Sequence, residues 1–291
     1  MAADRQPETA TTTRVGDLPE ECLAYAIALT GSPRDASRCA AVSPSFRAAA
    51  DSDHVWHRFI PDDLRPRTPA APKSSSDKEI YLGLCDATNA AAEDGGGGCR
   101  VWLEKGSGAK CYALSVRRLS LPWDDGEFSW RWAPHPSSRF GEVAELVHCT
   151  CLDIYARFPA AALTPATPYA AYLVYGTAEE GSRSLSYPDQ ETTVTVGGRE
   201  VARHAVCLRP DDAEAHKFRG GRVAAGVEAL RRPRVRDDGW WEMEMGQLRT
   251  ASAAAGGDEE EVVASFEVLG WQPKRGLIVE GIEFRPLLPA S

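Results

Sequence analysis

The chain has 291 residues, 43% hydrophobic and 26% charged, a globular composition whose length predicts about two domains. Its net charge is −9, from 33 basic against 42 acidic side chains, which argues against nucleic acid as a partner because phosphate binding needs a basic surface. No stretch approaches the roughly 18 apolar residues of a membrane span. Eight scattered cysteines indicate reduced thiols. We therefore expect a cytoplasmic and/or nuclear protein without membrane insertion.

Residues 1–15 predict a flexible leader, and residues 16–61 predict a run of short helices. Three of these helices are marked by a proline in the first turn, where its missing N–H costs nothing: Pro19, Pro33 and Pro44. Ser32 and Ser43 stand at the N-cap positions of the last two. Helices this short are unstable alone in water, so they must pack on one another or on a partner.

Residues 62–99 predict a linker that contains one helix and a glycine-rich loop. The first part is rich in proline, serine and charge, and a helix is predicted from Ser76 to Cys85. Gly95 to Gly98 lack the Gly-Lys-Ser/Thr that follows in a phosphate-binding loop, so they predict a plain connection to the next domain.

From Arg100 onward the hydrophobic pattern has a period of two. It is clearest where Trp241, Met243 and Met245 alternate with Trp240, Glu242 and Glu244. Many such short segments, separated by turn residues and without helices between them, predict an antiparallel β-sandwich over residues 100–288, jelly-roll-like in type. The expected fold class is therefore α+β, with a small helical module before the sandwich.

Residues 16–61 resemble an F-box, particularly the plant type. The matching residues are Leu18-Pro19-Glu20, Ile27, Pro33-Arg34-Asp35-Ala36, Val42-Ser43, Phe46-Arg47 and Val55-Trp56. The resemblance implies docking to the Skp-type adaptor of a cullin complex. By the family pattern the apolar contacts would come from Leu18, Pro19, Ile27, Val42 and Trp56, although some of these would serve the module's own core. The alternative is a helical extension packed on the β domain.

The β domain resembles the phloem protein 2 family, which shares its domain with the Nictaba-like, jasmonate-induced lectins of tobacco. The matching segments are residues 101–132, 138–158, 167–175, 236–248 and 276–286. An F-box joined to this domain is a plant arrangement, the PP2-B type. The resemblance implies a carbohydrate-binding sandwich with affinity for N-acetylglucosamine oligomers or N-glycan cores.

The candidate ligand site is the loop from Leu121 to Trp130. An indole can cover the apolar face of a sugar ring, and nearby carboxylates can accept hydrogen bonds from its hydroxyls. In the lectin members the tryptophans that match Trp123 and Trp130 carry sugar binding, and this role is excluded if both are buried below the surface of the sandwich. The predicted hydrogen-bonding neighbours are Asp124, Asp125 and Glu127.

Other chemistry is not predicted: we expect no catalytic residue, no metal site and no cofactor. Trp102 and Trp132 are predicted to lie in the core. Cys149 and Cys151, two residues apart on an apolar strand, are predicted to be core thiols rather than metal ligands. The basic run Arg231–Arg236 is either a nuclear-import signal or an exposed loop before Trp240, and the loop is preferred.

These patterns predict a non-catalytic, substrate-recruiting subunit of a Skp–cullin–F-box ubiquitin ligase, whose β domain binds a glycoprotein or another protein. One alternative is a stress- or phloem-associated lectin whose F-box is vestigial. Another is a β domain that binds only protein.

Overall fold

The computed structural model describes residues 15, 18–65, 76–92, 97–122, 129–178, 181–187, 189–210, 230–252, 260–268 and 270–288. The chain divides into two compact units: Met1–Gly83 with Lys105–Gly108, and Leu84–Glu104 with Ala109–Ser291. Helices occupy the first unit and antiparallel sheets the second, so the predicted α+β class is confirmed. No helix in these ranges is long and apolar enough to cross a bilayer.

The helical unit contains five short α-helices. They are α1 (Glu20–Ala28), α2 (Pro33–Cys39), α3 (Pro44–Asp51), α4 (Asp53–His57) and α5 (Asp77–Leu84). The Oγ atoms of Ser32 and Ser43 each accept a hydrogen bond, at 3.3 Å, from the backbone N–H of the residue three positions later. A proline follows each serine. The predicted caps of α2 and α3 are therefore confirmed.

The core of this unit is built around Trp56 of α4, which is 2% exposed. Its indole N–H donates to the carbonyl oxygen of Ala50 at 2.7 Å. The ring of Tyr81, from α5, lies 5.2 Å from the Trp56 ring and is fully buried. The hydroxyl of Tyr81 donates to the Lys105 carbonyl at 3.0 Å. The helix that the sequence placed in a linker therefore contributes to the helical core.

In the described residues, the β unit contains two sheets, and the named strands of each sheet pair with one another antiparallel. Sheet A holds nine strands: β1 (Ala91–Ala92), β2 (Cys99–Leu103), β3 (Lys110–Ser115), β4 (Trp130–Pro134), β5 (Glu142–Leu146), β7 (Pro168–Thr177), β10 (Arg234–Val235), β11 (Trp241–Arg249) and β13 (Leu277–Pro286). Sheet B holds four: β6 (Leu152–Pro159), β8 (Gln190–Val196), β9 (Arg199–Val206) and β12 (Glu261–Val268).

The two sheets pack face to face around aromatic side chains. Phe158 of β6 stacks on Phe284 of β13, with ring centres 5.3 Å apart. Where β11 passes beneath β8 and β9, a Cβ added to Gly246 would come within 2.8 Å of Ala202 and 2.9 Å of Val194. Glycine is required there because the sheets approach too closely for a side chain.

The opposite face of sheet A carries a buried network of charges. Glu280 and Glu283 of β13 both pair with Arg139, at 2.9 and 2.5 Å, and Glu283 also pairs with Arg236 at 2.6 Å. Burial by itself raises the pKa of Glu283, but the guanidinium groups of Arg139, Arg236 and Arg285 outweigh it and hold the pKa below its ordinary value. Glu283 is therefore charged and compensated within the fold.

Of the two tryptophans predicted to lie in the core, one does and one does not. Trp102 is 8% exposed and packs with Cys111 and Ala113, so its prediction is confirmed. The prediction for Trp132 is wrong: this side chain is only partly buried, and the guanidinium of Arg117 lies 3.6 Å from its ring centre. It lies on β4, which pairs only with β5 among the described strands, and the period-two pattern could not tell the core face of this strand from the outer one.

Cys149 is buried, whereas Cys151 is exposed, so the prediction of two core thiols is wrong for Cys151. The segment between β5 and β6 is not a strand, and side chains two residues apart therefore need not share a face. No group of His, Cys, Asp and Glu residues suited to a metal ion occurs within the described ranges.

Candidate functional site

Helix α1 is apolar on two opposite faces. One face is buried in the helical core, through Leu23, Ala24, Ile27 and Ala28. The other presents Cys22 and Tyr25 to solvent, together with Leu29 at the C-cap of the helix and Leu18 two residues before its first residue. We call these four residues the α1 stripe. An apolar stripe that the described part of the unit leaves uncovered is the kind of surface that a partner covers.

The structure divides the predicted adaptor-binding residues into two groups. Leu18, Pro19 and Val42 lie on the surface, and Val42 is 65% exposed. Ile27 and Trp56 are each 2% exposed and belong to the helical core. Sequence reasoning missed Cys22, Tyr25 and Leu29, although their spacing of three and four residues is a signal that could have identified them.

In the β unit, only one of the predicted sugar-binding residues can be located. Trp123, Asp124, Asp125 and Glu127 lie outside the described residues. Trp130 is the first residue of β4 and is 3% exposed. Its indole N–H donates to the Pro122 carbonyl at 2.9 Å, so Trp130 closes the base of the predicted loop and offers no open face for stacking.

The base of this loop lies where the two sheets meet. Ser120 exchanges both backbone hydrogen bonds with Tyr155 of β6, at 2.8 and 3.1 Å. The carbonyl of Ser129 accepts the N–H of Val147 at 2.9 Å. The chain passes between sheets A and B at this end through the segments around residues 147–151, 181–187 and 270–276, which we call the crossover end.

A buried lysine holds these segments together. Lys274 is fully buried, and its Nζ donates to the carbonyls of Thr150, Gly270 and Gln272 at 2.6, 3.0 and 3.1 Å. An ammonium has three hydrogens, so all of its donors are used. Burial lowers the pKa of Lys274. The backbone of Lys274 also exchanges two hydrogen bonds with Cys149, at 2.7 and 3.1 Å.

The turn held by Lys274 carries the most exposed large apolar side chain of the described residues, Trp271, at 87%. Gly270 begins this turn with φ +118°, a conformation that L side chains rarely adopt. A Cβ added to Gly270 would also lie only 2.9 Å from the ring of Tyr187. Sequence reasoning did not single out Trp271, although Gly270 before it and Pro273 after it are signals of an exposed turn.

A row of three carboxylates crosses the outer face of sheet B at the same end. Glu267 of β12 lies opposite Asp153 on one side and Glu191 on the other. Burial raises the pKa of Asp153. The pKa of Glu267 is also raised, mainly by burial and to a lesser extent by repulsion from Asp153 and Glu191. Glu191 pairs with Arg203 at 2.5 Å, whereas the buried Oδ1 of Asp153 has no hydrogen-bond partner within the described part of the chain.

The basic run is folded into the edge of sheet A. Arg231 pairs with Glu244 and Arg234 with Glu242, both at 2.6 Å, and Arg236 pairs with Glu283. The two residues of β10 form part of the run and pair with β11. An import receptor that reads an extended basic peptide would have to break these contacts. The preferred interpretation as a plain loop is replaced by a short, ion-paired edge strand.

A short-helix module with an uncovered apolar stripe, followed by an antiparallel sandwich, is the form of an F-box adaptor protein. The F-box-like family model matches residues 15–61, and the phloem protein 2 family model matches residues 109–286, more than half of the chain. This chain therefore belongs to the phloem protein 2 family, in its F-box-containing PP2-B group, and both resemblances noted in the sequence are confirmed. An F-box implies binding to an adaptor of the Skp type.

Three relatives from Arabidopsis thaliana span nearly the whole chain. F-box protein PP2-B10 is 35% identical over 92% of each chain. Putative F-box protein PP2-B2 is 36% identical over 93% of this chain and 82% of its own. Putative F-box protein PP2-B12 is 37% identical over 93% of this chain and 97% of its own. The order of F-box and β domain is therefore the same in the relatives as in this chain.

Proposed function

We propose that this chain is the substrate-recognition subunit of a Skp–cullin–F-box ubiquitin ligase. The observation that carries the proposal is the α1 stripe, because the helical unit has a complete core and still leaves these four apolar residues exposed. Burying a leucine or tyrosine of this kind contributes about 1.5–3 kcal/mol. Covering the stripe with a Skp-type adaptor therefore contributes favourably to association.

The chain itself does no chemistry in this proposal. Its contribution is proximity: the F-box holds the adaptor and cullin complex, and the β unit holds the protein to be modified. The scattered positions of the eight cysteines favour reduced thiols and a reducing compartment, and we place the protein in the cytoplasm and/or the nucleus.

For the β unit, we propose that the target is a glycoprotein recognised through an N-glycan or an N-acetylglucosamine oligomer. Membership of a lectin-like family and the loop at the crossover end support this proposal. Trp123 is the stacking residue of that loop, with Asp124, Asp125 and Glu127 as acceptors for sugar hydroxyls. Trp130 acts by holding the loop base through its bond to Pro122.

Co-purification with a Skp-type adaptor tests the ligase proposal. Leu18 and Leu82 offer a matched pair, since they are 41% and 40% exposed in the same unit but only Leu18 belongs to the stripe. We expect Leu18→Asp, or Leu29→Lys, to abolish co-purification and Leu82→Asp to leave it unchanged. If the unmodified protein fails to co-purify, the ligase proposal is wrong and the lectin with a vestigial F-box takes its place.

A further inference from the structure

We propose that the exposed indole of Trp271 is a stacking surface for a sugar ring, in a second contact that the crossover end makes with the β unit's ligand. This inference rests on the glycan binding proposed above but uses none of the residues of the loop from Leu121 to Trp130. Three observations support it: the exposure of the ring, the rigidity of its turn and the acceptors on the neighbouring strands.

The exposure of Trp271 has no counterpart elsewhere in the described β unit. An indole in water forgoes the largest gain from burial that any side chain can make, and folded proteins ordinarily cover most of it. Trp271 is 87% exposed, whereas Trp130 and Trp240, nearer the sheets, are 3% and 4% exposed. A fold that buries these two rings and leaves Trp271 in solvent presents that ring to a ligand.

The turn that carries Trp271 is fixed in place. The ammonium group of Lys274 donates all three of its hydrogens to main-chain carbonyls. Two of these carbonyls, those of Gly270 and Gln272, belong to the turn itself. The third carbonyl belongs to Thr150, just before β6. The N–H of Gly276 donates to the carbonyl of Leu146 at 2.8 Å. A ring on such a turn loses little conformational freedom when it binds, which favours affinity.

The surroundings of Trp271 favour a small hydroxylated ligand over a protein surface. A stable protein interface buries about 800 Å² on each partner around an apolar centre. Among the other large apolar side chains that are exposed in the described β unit, only Val147 lies at the crossover end; Val201 and Val235 lie on β9 and β10, and Leu288 follows β13. A single exposed ring without a broad exposed apolar surface around it matches one sugar face.

Sheet B provides hydrogen-bond acceptors at the same end. Val268, the last residue of β12, pairs with Leu152, so Glu267 and Asp153 are the carboxylates of the strands that lead to and from the turn. Asp153 and Glu267 are each only partly buried, and a partly exposed carboxylate can accept a hydroxyl. An aromatic face with nearby carboxylate acceptors has the two features that recognise a neutral sugar.

Titration of the full-length protein with chitotriose, a trimer of N-acetylglucosamine, tests the inference. We expect Trp271→Ala to weaken binding about tenfold and Trp271→Phe to retain most of it. Val201→Ala is the control, since it shortens an exposed apolar side chain on β9 at the other end of sheet B. Acrylamide should quench a component of the tryptophan emission that Trp271→Ala lacks, and chitotriose should protect that component.

The outcomes separate this inference from the proposed function. If the unmodified protein binds chitotriose and Trp271→Ala binds equally well, the Trp271 contact is excluded while glycan binding stands. If no chitotriose or N-glycan oligosaccharide binds, glycan recognition and the Trp271 contact fail together. If oligolysine binds instead, in a salt-sensitive manner that depends on Trp271, the ring recognises a cation and the sugar assignment is overturned.

Discussion

Glu283 shows how a single residue can keep a charge inside this fold. Its side chain is 2% exposed, yet three guanidinium groups surround it and keep its pKa below the ordinary 4.5. Removing one member of a buried charged cluster leaves the others uncompensated, which costs about 3–5 kcal/mol. The stability of the β unit therefore depends on the ionisation of this carboxylate.

We expect Glu283→Gln to lower the free energy of unfolding at pH 7 by about 3 kcal/mol. Because the folded pKa lies below the unfolded one, the stabilisation is present above about pH 4.5 and is lost as the pH falls through the folded pKa. Urea denaturation from pH 7 to pH 3 should show the curves of the two proteins converging in acid. Parallel curves would contradict the charge argument. Glu261→Gln, which removes an exposed pair with Arg157, should change stability by less than about 1 kcal/mol.

Trp56 and Val42 illustrate two roles within one set of predicted adaptor contacts. Trp56 is buried against Tyr81 and Phe59, so Trp56→Ala should cost about 3–5 kcal/mol of unfolding free energy. Val42 is exposed, so Val42→Asp should change stability by no more than about 0.5 kcal/mol while weakening adaptor binding. Thermal unfolding and adaptor titration of both variants measure the two effects. A stable Trp56→Ala protein that loses only the adaptor would reverse this assignment.

At the scale of elements, α1 differs from an ordinary surface helix because both of its faces are apolar. A helix in a monomer buries one stripe and solvates the other. In α1 the second stripe is left for another molecule, and the helix is nine residues long, too short to be stable without the packing of its first face. The helical core therefore presents the α1 stripe as well as holding the unit together.

Two glycines test the packing of strands and helices separately. Gly246→Ala in β11 should destabilise the protein by about 1–3 kcal/mol, because the new methyl group meets Ala202 and Val194 at under 3 Å. Gly83→Ala in α5 meets no atom within 4 Å and should stabilise it by up to about 1 kcal/mol through helix propensity. Urea denaturation measures both. Equal effects of the two substitutions would show that sheet contact is not what requires Gly246.

At the scale of the whole molecule, the two units carry separate binding functions in our proposal. We expect Trp271→Ala to co-purify with a Skp-type adaptor as well as the unmodified protein does. We expect Leu18→Asp, which loses the adaptor, to bind chitotriose unchanged, since Leu18 belongs to the helical unit. Loss of both activities in either variant, with folding intact by circular dichroism, would contradict independent units.

Local patterns predicted much of this protein from its sequence. Proline followed the capping serine at α2 and α3, the period of two marked the strands, and ordered motifs identified both families. These features depend on neighbours in the chain: a cap, a strand alternation or a motif is complete within a few residues. The α+β class and the F-box with its phloem protein 2 domain were therefore determined by the sequence alone.

Exposure was decided only by the tertiary structure. Trp130, Trp132 and Trp271 all belong to the β unit, yet the first is buried, the second is half-covered by Arg117 and the third projects into solvent. The position of Trp271 depends on Lys274, whose ammonium reaches Thr150, 124 residues earlier in the chain. Contacts over such separations follow from how the sheets pack, which no local pattern contains. The sequence therefore determined which family this chain belongs to, and the packing of its two sheets determined which tryptophan meets a ligand in our proposal.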